Sequence, residues 1–325
     1  MTMAGLPVEA LQDLWGLHGT PRRPTKTARV LRGHSPDGAI LGEEKNMAII
    51  DSQVHVYEAD RPERPWVAKI TGPAHLTGDE QVAAMDALGI DGAIIVSTYT
   101  TYRYDSSYAQ SVHAGHPGRF ALVTPVDATD AAVGEIIGDW ASAPGAVGVR
   151  VMLAFAETKD PLDPLLNAAL AAGAKHDMVV NLFAWDCLDE ARVLIERNPN
   201  TRIVIDHVGL FQPYKPEKPD VWKDLPKVLA LAGYENVSIK LTGACTLSAE
   251  PFPYNDIWDP LLRIIDAFGV ERCMWGTDWT RAVKSLTYEQ AVEAFRVTTR
   301  LSESDKAILM GGAAEKVYGW SPTRG

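Results

Sequence analysis

From residue 47 onward the chain alternates short apolar runs with stretches of helical periodicity. Ile49-Ile50 leads into Asp51-Ser52-Gln53-Val54-His55. Ala93 to Val96, Phe120 to Val123, Val147 to Val151, Met178 to Leu182, Ile203 to His207, Val237 to Leu241 and Arg272 to Asp278 follow in turn. Each run is short, apolar and bounded by turn residues, as a parallel strand buried on both faces is. Helical stretches stand between them, and the alanine-rich segment Leu162 to Lys175, led by aspartates, is the clearest. Eight strand–helix units over about 250–280 residues predict a (β/α)8 TIM barrel. A doubly wound open sheet is the rival arrangement. It carries a glycine-rich phosphate loop after its first strand, where this chain has Gln53-Val54-His55.

Residues 1–46 break the pattern. They are rich in Gly, Pro and Arg, with a basic patch through Arg22, Arg23, Lys26, Arg29 and Arg32. They read as an N-terminal extension, either weakly ordered or an arm that packs on the body or a neighbouring subunit. The barrel is expected over residues 47–325.

Most of the apolar runs end in polar residues, and the active site of such a barrel lies at the carboxyl ends of its strands. The candidates are therefore Gln53 and His55 on the first strand, Arg150 on the fourth, Asn181 on the fifth, Asp206 and His207 on the sixth, Lys240 on the seventh and Asp278 on the eighth. Gln53 and His55 are two apart and share a face. Taken singly, each residue has a structural explanation: a histidine held by hydrogen bonds, or a Lys or Arg reaching solvent along apolar surface. Their shared placement argues otherwise, because a closed ring of parallel strands gathers His55, His207 and Asp278 at one mouth. The loop after the second strand adds Tyr99, Tyr102, Arg103, Tyr104 and Asp105. Its tyrosines suit the wall of an aromatic or sugar-acid pocket, or ordinary loop packing. The proline-rich segment Phe211 to Pro219 and Phe252-Pro253-Tyr254 stand as further pocket walls or as interface.

The motifs Asp51-Ser52-Gln53-Val54-His55, Ile205-Asp206-His207-Val208-Gly209 and Trp275-Gly276-Thr277-Asp278-Trp279 resemble the first, sixth and eighth strands of the amidohydrolase superfamily. Gly148-Val149-Arg150, Val237 to Gly243 and the tail from Ala307 to Gly319 are similar to its amidohydrolase-related (amidohydrolase 2) branch, which includes sugar lactonases and pyrone-dicarboxylate lactonase. The resemblance spans Met47 to Trp320. It implies a hydrolase acting on a small organic-acid lactone or related activated carbonyl. Asp278 would be the general base, and His55 and His207 would ligate a metal or polarise the carbonyl. Arg150 would grip a carboxylate or carbonyl, with Gln53, Asn181, Lys240, Tyr99 and Tyr102 lining the substrate.

Two departures bear on metal. The family's His-x-His begins here with Gln53, and its strand-five histidine appears as Asn181. Gln and Asn are poor zinc ligands. The expectation is that no cofactor is required, with one divalent metal such as zinc or manganese on His55, His207 and Asp278 as the alternative. Metal-dependent carbon–carbon cleavage or decarboxylation is the rival reaction, and a barrel that binds a ligand without turnover is the rival from another class.

Composition adds exclusions. A net charge of −11 argues against nucleic acid or an anionic membrane as partner. No apolar run reaches the roughly 18–20 residues of a spanning helix. Cys187, Cys245 and Cys273 are widely spaced and odd in number, which fits a reducing cytoplasm without a disulfide framework. The expected partner is a small-molecule substrate, with a homo-oligomer possible.

Overall fold

The computed structural model describes residues 47–70, 72–212 and 220–323. The N-terminal extension expected over residues 1–46 lies outside them, as does most of the proline-rich segment after Phe211. Eight strands form one parallel sheet in chain order: β1 (Ile50–Val54), β2 (Gly92–Val96), β3 (Phe120–Val126), β4 (Ala146–Val151), β5 (Val179–Leu182), β6 (Ile203–Ile205), β7 (Val237–Lys240) and β8 (Cys273–Met274). Every residue of β1, β2 and β3 is buried, the pattern of strands covered on both faces.

The barrel closes between β8 and β1. Ser52 N donates to Trp275 O at 3.2 Å and Asp278 N to Gln53 O at 3.1 Å. The regular ladder of β8 stops at Met274, shorter than the Arg272 to Asp278 strand the sequence suggests. Beyond Met274 the chain crowds β1 and then turns. A Cβ on Gly276 would lie 2.5 Å from Thr242 Cγ2 and 2.6 Å from Ser52 Oγ, so only glycine passes there. In β1 itself, Asp51 pairs with Ala93 but Val54 with Ile95, so a bulge adds one residue just before His55.

The helices start where the sequence provides caps. Gly78–Leu88 opens with a capping box between Thr77 and Glu80. Pro164–Lys175 opens with Asp163 accepting from Leu165 N and Leu166 N. The helix expected from Trp222 begins at Leu225. The last helical stretch is interrupted by a π turn, Ile308–Gly312, before Ala313–Tyr318. Gly311 within that turn packs directly on the carbonyl of Ala48, where any side chain would collide. Ala313, Ala314 and Tyr318 then join Ile50, Val179 and Met274 in one buried cluster, closing the end from which the strands start. The other end is left for chemistry. Among the described residues no helix is long and apolar enough to cross a membrane.

Candidate active site

The carboxyl ends of β1, β4, β6, β7 and β8 bring most of the predicted polar residues into one buried network. Its hub is Asp206, at the end of β6. Arg150 Nε donates to its Oδ2 at 2.7 Å, Asn181 Nδ2 to its Oδ1 at 3.3 Å, and Lys240 Nζ stands 3.4 Å from Oδ1. Burial raises the Asp206 pKa, but the charges of Arg150 and Lys240 outweigh it and hold this carboxyl far below the usual range. Lys240 is 0% exposed and its pKa falls to about 8 through burial, against the pull of Asp206. Asn181 accepts from the Tyr318 hydroxyl at 2.9 Å, which ties the closing helix to the network.

Hydrogen-bond chemistry fixes the ring states above this hub. Lys240 only donates, so its 3.2 Å bond to Gln53 Oε1 turns the Gln53 amide nitrogen towards His207 Nε2, 3.1 Å away. Arg150 also only donates, and its Nη2 lies 3.0 Å from the same ring atom. His207 Nε2 therefore carries the lone pair and Nδ1 the proton, facing Thr242 Oγ1 at 3.2 Å and Asp278 Oδ2 at 3.8 Å. Burial and the Arg150 charge lower the His207 pKa to about 4, so the ring is neutral at neutral pH.

His55 shows the same logic on the other side. The carbonyl of Val96 can only accept, so His55 Nδ1 donates to it at 2.6 Å. Burial lowers the His55 pKa despite the neighbouring Asp278. His55 Nε2 lies 3.1 Å from Asp278 Oδ1, a contact that holds only with a proton shared between the ring and the carboxylate. Asp278 is 2% exposed; burial raises its pKa, but the hydrogen bond from His55 and the charges around it bring the net shift downward. Its backbone is left-handed, with φ 49°, a conformation that Asp tolerates better than most residues but that still stores strain.

Asp51 holds that turn in place. Fully buried beneath it, Asp51 accepts from Thr277 N at 2.9 Å, Thr277 Oγ1 at 2.6 Å and Gln53 N at 3.1 Å. Burial lifts its pKa to about 6. The sixth strand ends in a comparable constraint, with His207 at φ 54° and Val208 at φ 61°. A β-branched residue rarely enters that region.

Other predicted residues stand apart. Tyr102 packs under Arg64 and against Tyr108, and its hydroxyl accepts from Glu58 N at 3.0 Å. Tyr99 pairs with Tyr104 and lies under Arg103. Asn181 and Lys240 lie beneath the site, engaged with Asp206. Sequence reasoning passed over Asp51 and Phe183. Asp51 is a carboxylate inside an apolar strand, and Phe183 follows Asn181 by two residues, so both left a signal. Phe183 meets His207 edge-on at 5.5 Å, and the Arg150 guanidinium carbon lies 4.8 Å over its ring.

A catalytic zinc site takes about three protein ligands. His55 Nε2 and Asp278 could turn to an ion in place of each other, but His207 Nε2 already accepts from Arg150 and Gln53. Asn181 turns its amide to Asp206. These side chains do not fit a three-ligand metal. Among the described residues no group of three or more His, Cys, Asp or Glu is arranged to hold an ion.

The amidohydrolase family model matches residues 50–320. D-galactarolactone isomerase of Agrobacterium fabrum is 28% identical over 258 residues, 78% of this chain and 82% of its own. The 4-sulfomuconolactone hydrolase of Hydrogenophaga intermedia is 30% identical over 208 residues, 62% of this chain and 64% of its own. An amidohydrolase from Burkholderia multivorans, solved with bound zinc, superposes with a TM-score of 0.68 at 22% identity, covering 84% of this chain and 99% of its own. At that identity the superposition speaks for the barrel.

Proposed function

The chain belongs to the amidohydrolase family, and on that premise we propose that it is an enzyme that opens a small organic-acid lactone by hydrolysis, with Asp278 as general base. The observation that carries this reading is the buried carboxylate of Asp278 held between two imidazoles, Oδ1 at 3.1 Å from His55 Nε2 and Oδ2 at 3.8 Å from His207 Nδ1. A carboxylate oxygen keeps further lone pairs beside such a bond, and a water molecule can donate to one of them. The ionised Asp278 takes a proton from that water as its oxygen attacks the lactone carbonyl. Arg150, its guanidinium beside His207, faces the developing oxyanion in this scheme. Collapse breaks the ring C–O bond, and the departing oxygen recovers the proton from Asp278 to give the hydroxy acid or its tautomer.

Gln53, Asn181, Lys240 and Asp206 act through Arg150 and His207, fixing their orientation. No metal takes part in this scheme, because the donor set offers two ligands rather than three. The same shortage weighs against metal-dependent carbon–carbon cleavage. The substrate class draws on the relatives named for galactarolactone and 4-sulfomuconolactone.

The test is a panel of sugar lactones, muconolactones and aromatic-derived lactones, followed by acid release. Wild-type protein dialysed against a chelator turns over at least one of them. Asp278→Asn lowers kcat by about 10³-fold, within the range of lost general-base catalysis. An Asp278→Asn variant with wild-type rates would overturn the mechanism.

A further inference from the structure

Four aromatic rings climb from the floor of the site to its rim on the β4–β6 side. Phe183, 5% exposed, forms the foot, against Arg150 and His207. Trp185 lies 4.3 Å from it. Phe155, in the 3-10 turn after β4, touches Phe183 and Trp185 at 5.3 and 5.9 Å. Phe211, beyond β6, stands 5.2 Å from Trp185. The two outer rings, Phe155 and Phe211, remain 56% and 44% exposed. Three separate loops thus present ring surface beside a buried, charged floor, the composition of a small-molecule pocket.

The wall is selective by what it lacks. In its side chains only the Trp185 indole N–H can hydrogen-bond, and it can only donate. A saturated ring studded with hydroxyls would press them against hydrocarbon with too few partners. A flat conjugated ring has no such groups on its faces, and it gains by stacking.

We propose that the wall of Phe155, Phe183, Trp185 and Phe211 selects a flat, unsaturated lactone over a saturated, polyhydroxylated one. This rests on the site being a lactone hydrolase. The captured ring covers the half-exposed edges of Phe155 and Phe211 and directs its carbonyl to Arg150.

The experiment compares kcat/KM for a 2-pyrone carboxylate or muconolactone with that for a saturated sugar lactone. Wild type, Phe155→Ser and Trp185→Ser are measured side by side. Wild type favours the unsaturated ring by about tenfold or more, and each substitution erodes that preference by about tenfold, chiefly through KM. Binding is read separately in the Asp278→Asn background. The unsaturated lactone quenches tryptophan fluorescence, and adding Trp185→Phe removes the quench although eight other tryptophans remain of the nine. A preference for the sugar lactone, or one unmoved by both serine variants, overturns the wall while lactone hydrolysis stands. Quenching without turnover of any lactone overturns the hydrolase reading and keeps the wall. Neither turnover nor quenching overturns both.

Discussion

Asp206 and Asp278 end neighbouring parts of the same barrel mouth and are equally buried, each 2% exposed. Their surroundings differ completely. Asp206 is met by two cations and an amide, with Arg150 Nε at 2.7 Å and Lys240 Nζ at 3.4 Å. Asp278 is met by two histidines, at 3.1 and 3.8 Å, on a left-handed backbone propped from below by Asp51. Burial alone does not decide what a carboxylate does. Fixed cations make Asp206 a support that never needs a proton at neutral pH. Imidazoles whose pKa values burial pushes down meet Asp278 instead, and this is the carboxylate proposed as the base.

The sharpest way to break this contrast is to remove the support. Asp206→Ala strands Arg150 and Lys240 without their shared counter-ion, and breaking a buried pair this way costs about 3–5 kcal/mol. Urea unfolding checks this, and the same measurement on Asp278→Asn should stay close to wild type. Equal losses in the two variants would erase the distinction between support and base.

The prop beneath Asp278 gives a smaller effect with a defined pH sign. The Asp51 pKa is raised to about 6 in the folded protein, against an ordinary carboxyl near 4 when unfolded. The folded state therefore holds the proton more tightly. Its contribution is complete below about pH 4 and is lost as pH rises through about 6. Asp51→Asn cannot titrate, so wild-type stability relative to this variant should fall between about pH 4 and 6 and level off above. Thermal denaturation of both proteins across that range measures the difference. A difference that grows with pH would mean that Asp51 is stabilised as the anion by Thr277 and Gln53 more than burial penalises it.

The smallest expected effect lies furthest from the reacting atoms. Tyr318→Phe removes one bond to Asn181 and should cost about 1 kcal/mol of stability, with kcat nearly unchanged. A large drop in kcat would extend the working site down to the closing helix, and the division between support and base would need redrawing.

Much of this architecture was legible from local pattern. Apolar runs such as Ala93 to Val96, bounded by turn residues, read as strands covered on both faces, and the alanine-rich run to Lys175, led by aspartates, as a helix. His55, His207, Arg150 and Asp278 stood out because a polar residue at the end of an apolar strand has to be satisfied. The tyrosines after β2 suited a pocket wall or ordinary loop packing, and Tyr102 is occupied by Arg64 and Glu58. Nothing local separates a loop aromatic that packs on its neighbours from one, such as Phe183, that meets the reacting groups.

What the chain alone determined was which residues are buried and at which end of each strand the polar ones stand, since these follow from periodicities of 2 and 3.6. Only the closed barrel decided who meets whom. Lys240 finds Gln53 from 187 positions away, and that bond turns the amide that helps set the proton on His207. Asp51 reaches Thr277 across 226 positions and holds the turn that carries Asp278. Charge state and tautomer depend on such partners through distance and burial, and neither quantity exists until the strands are side by side.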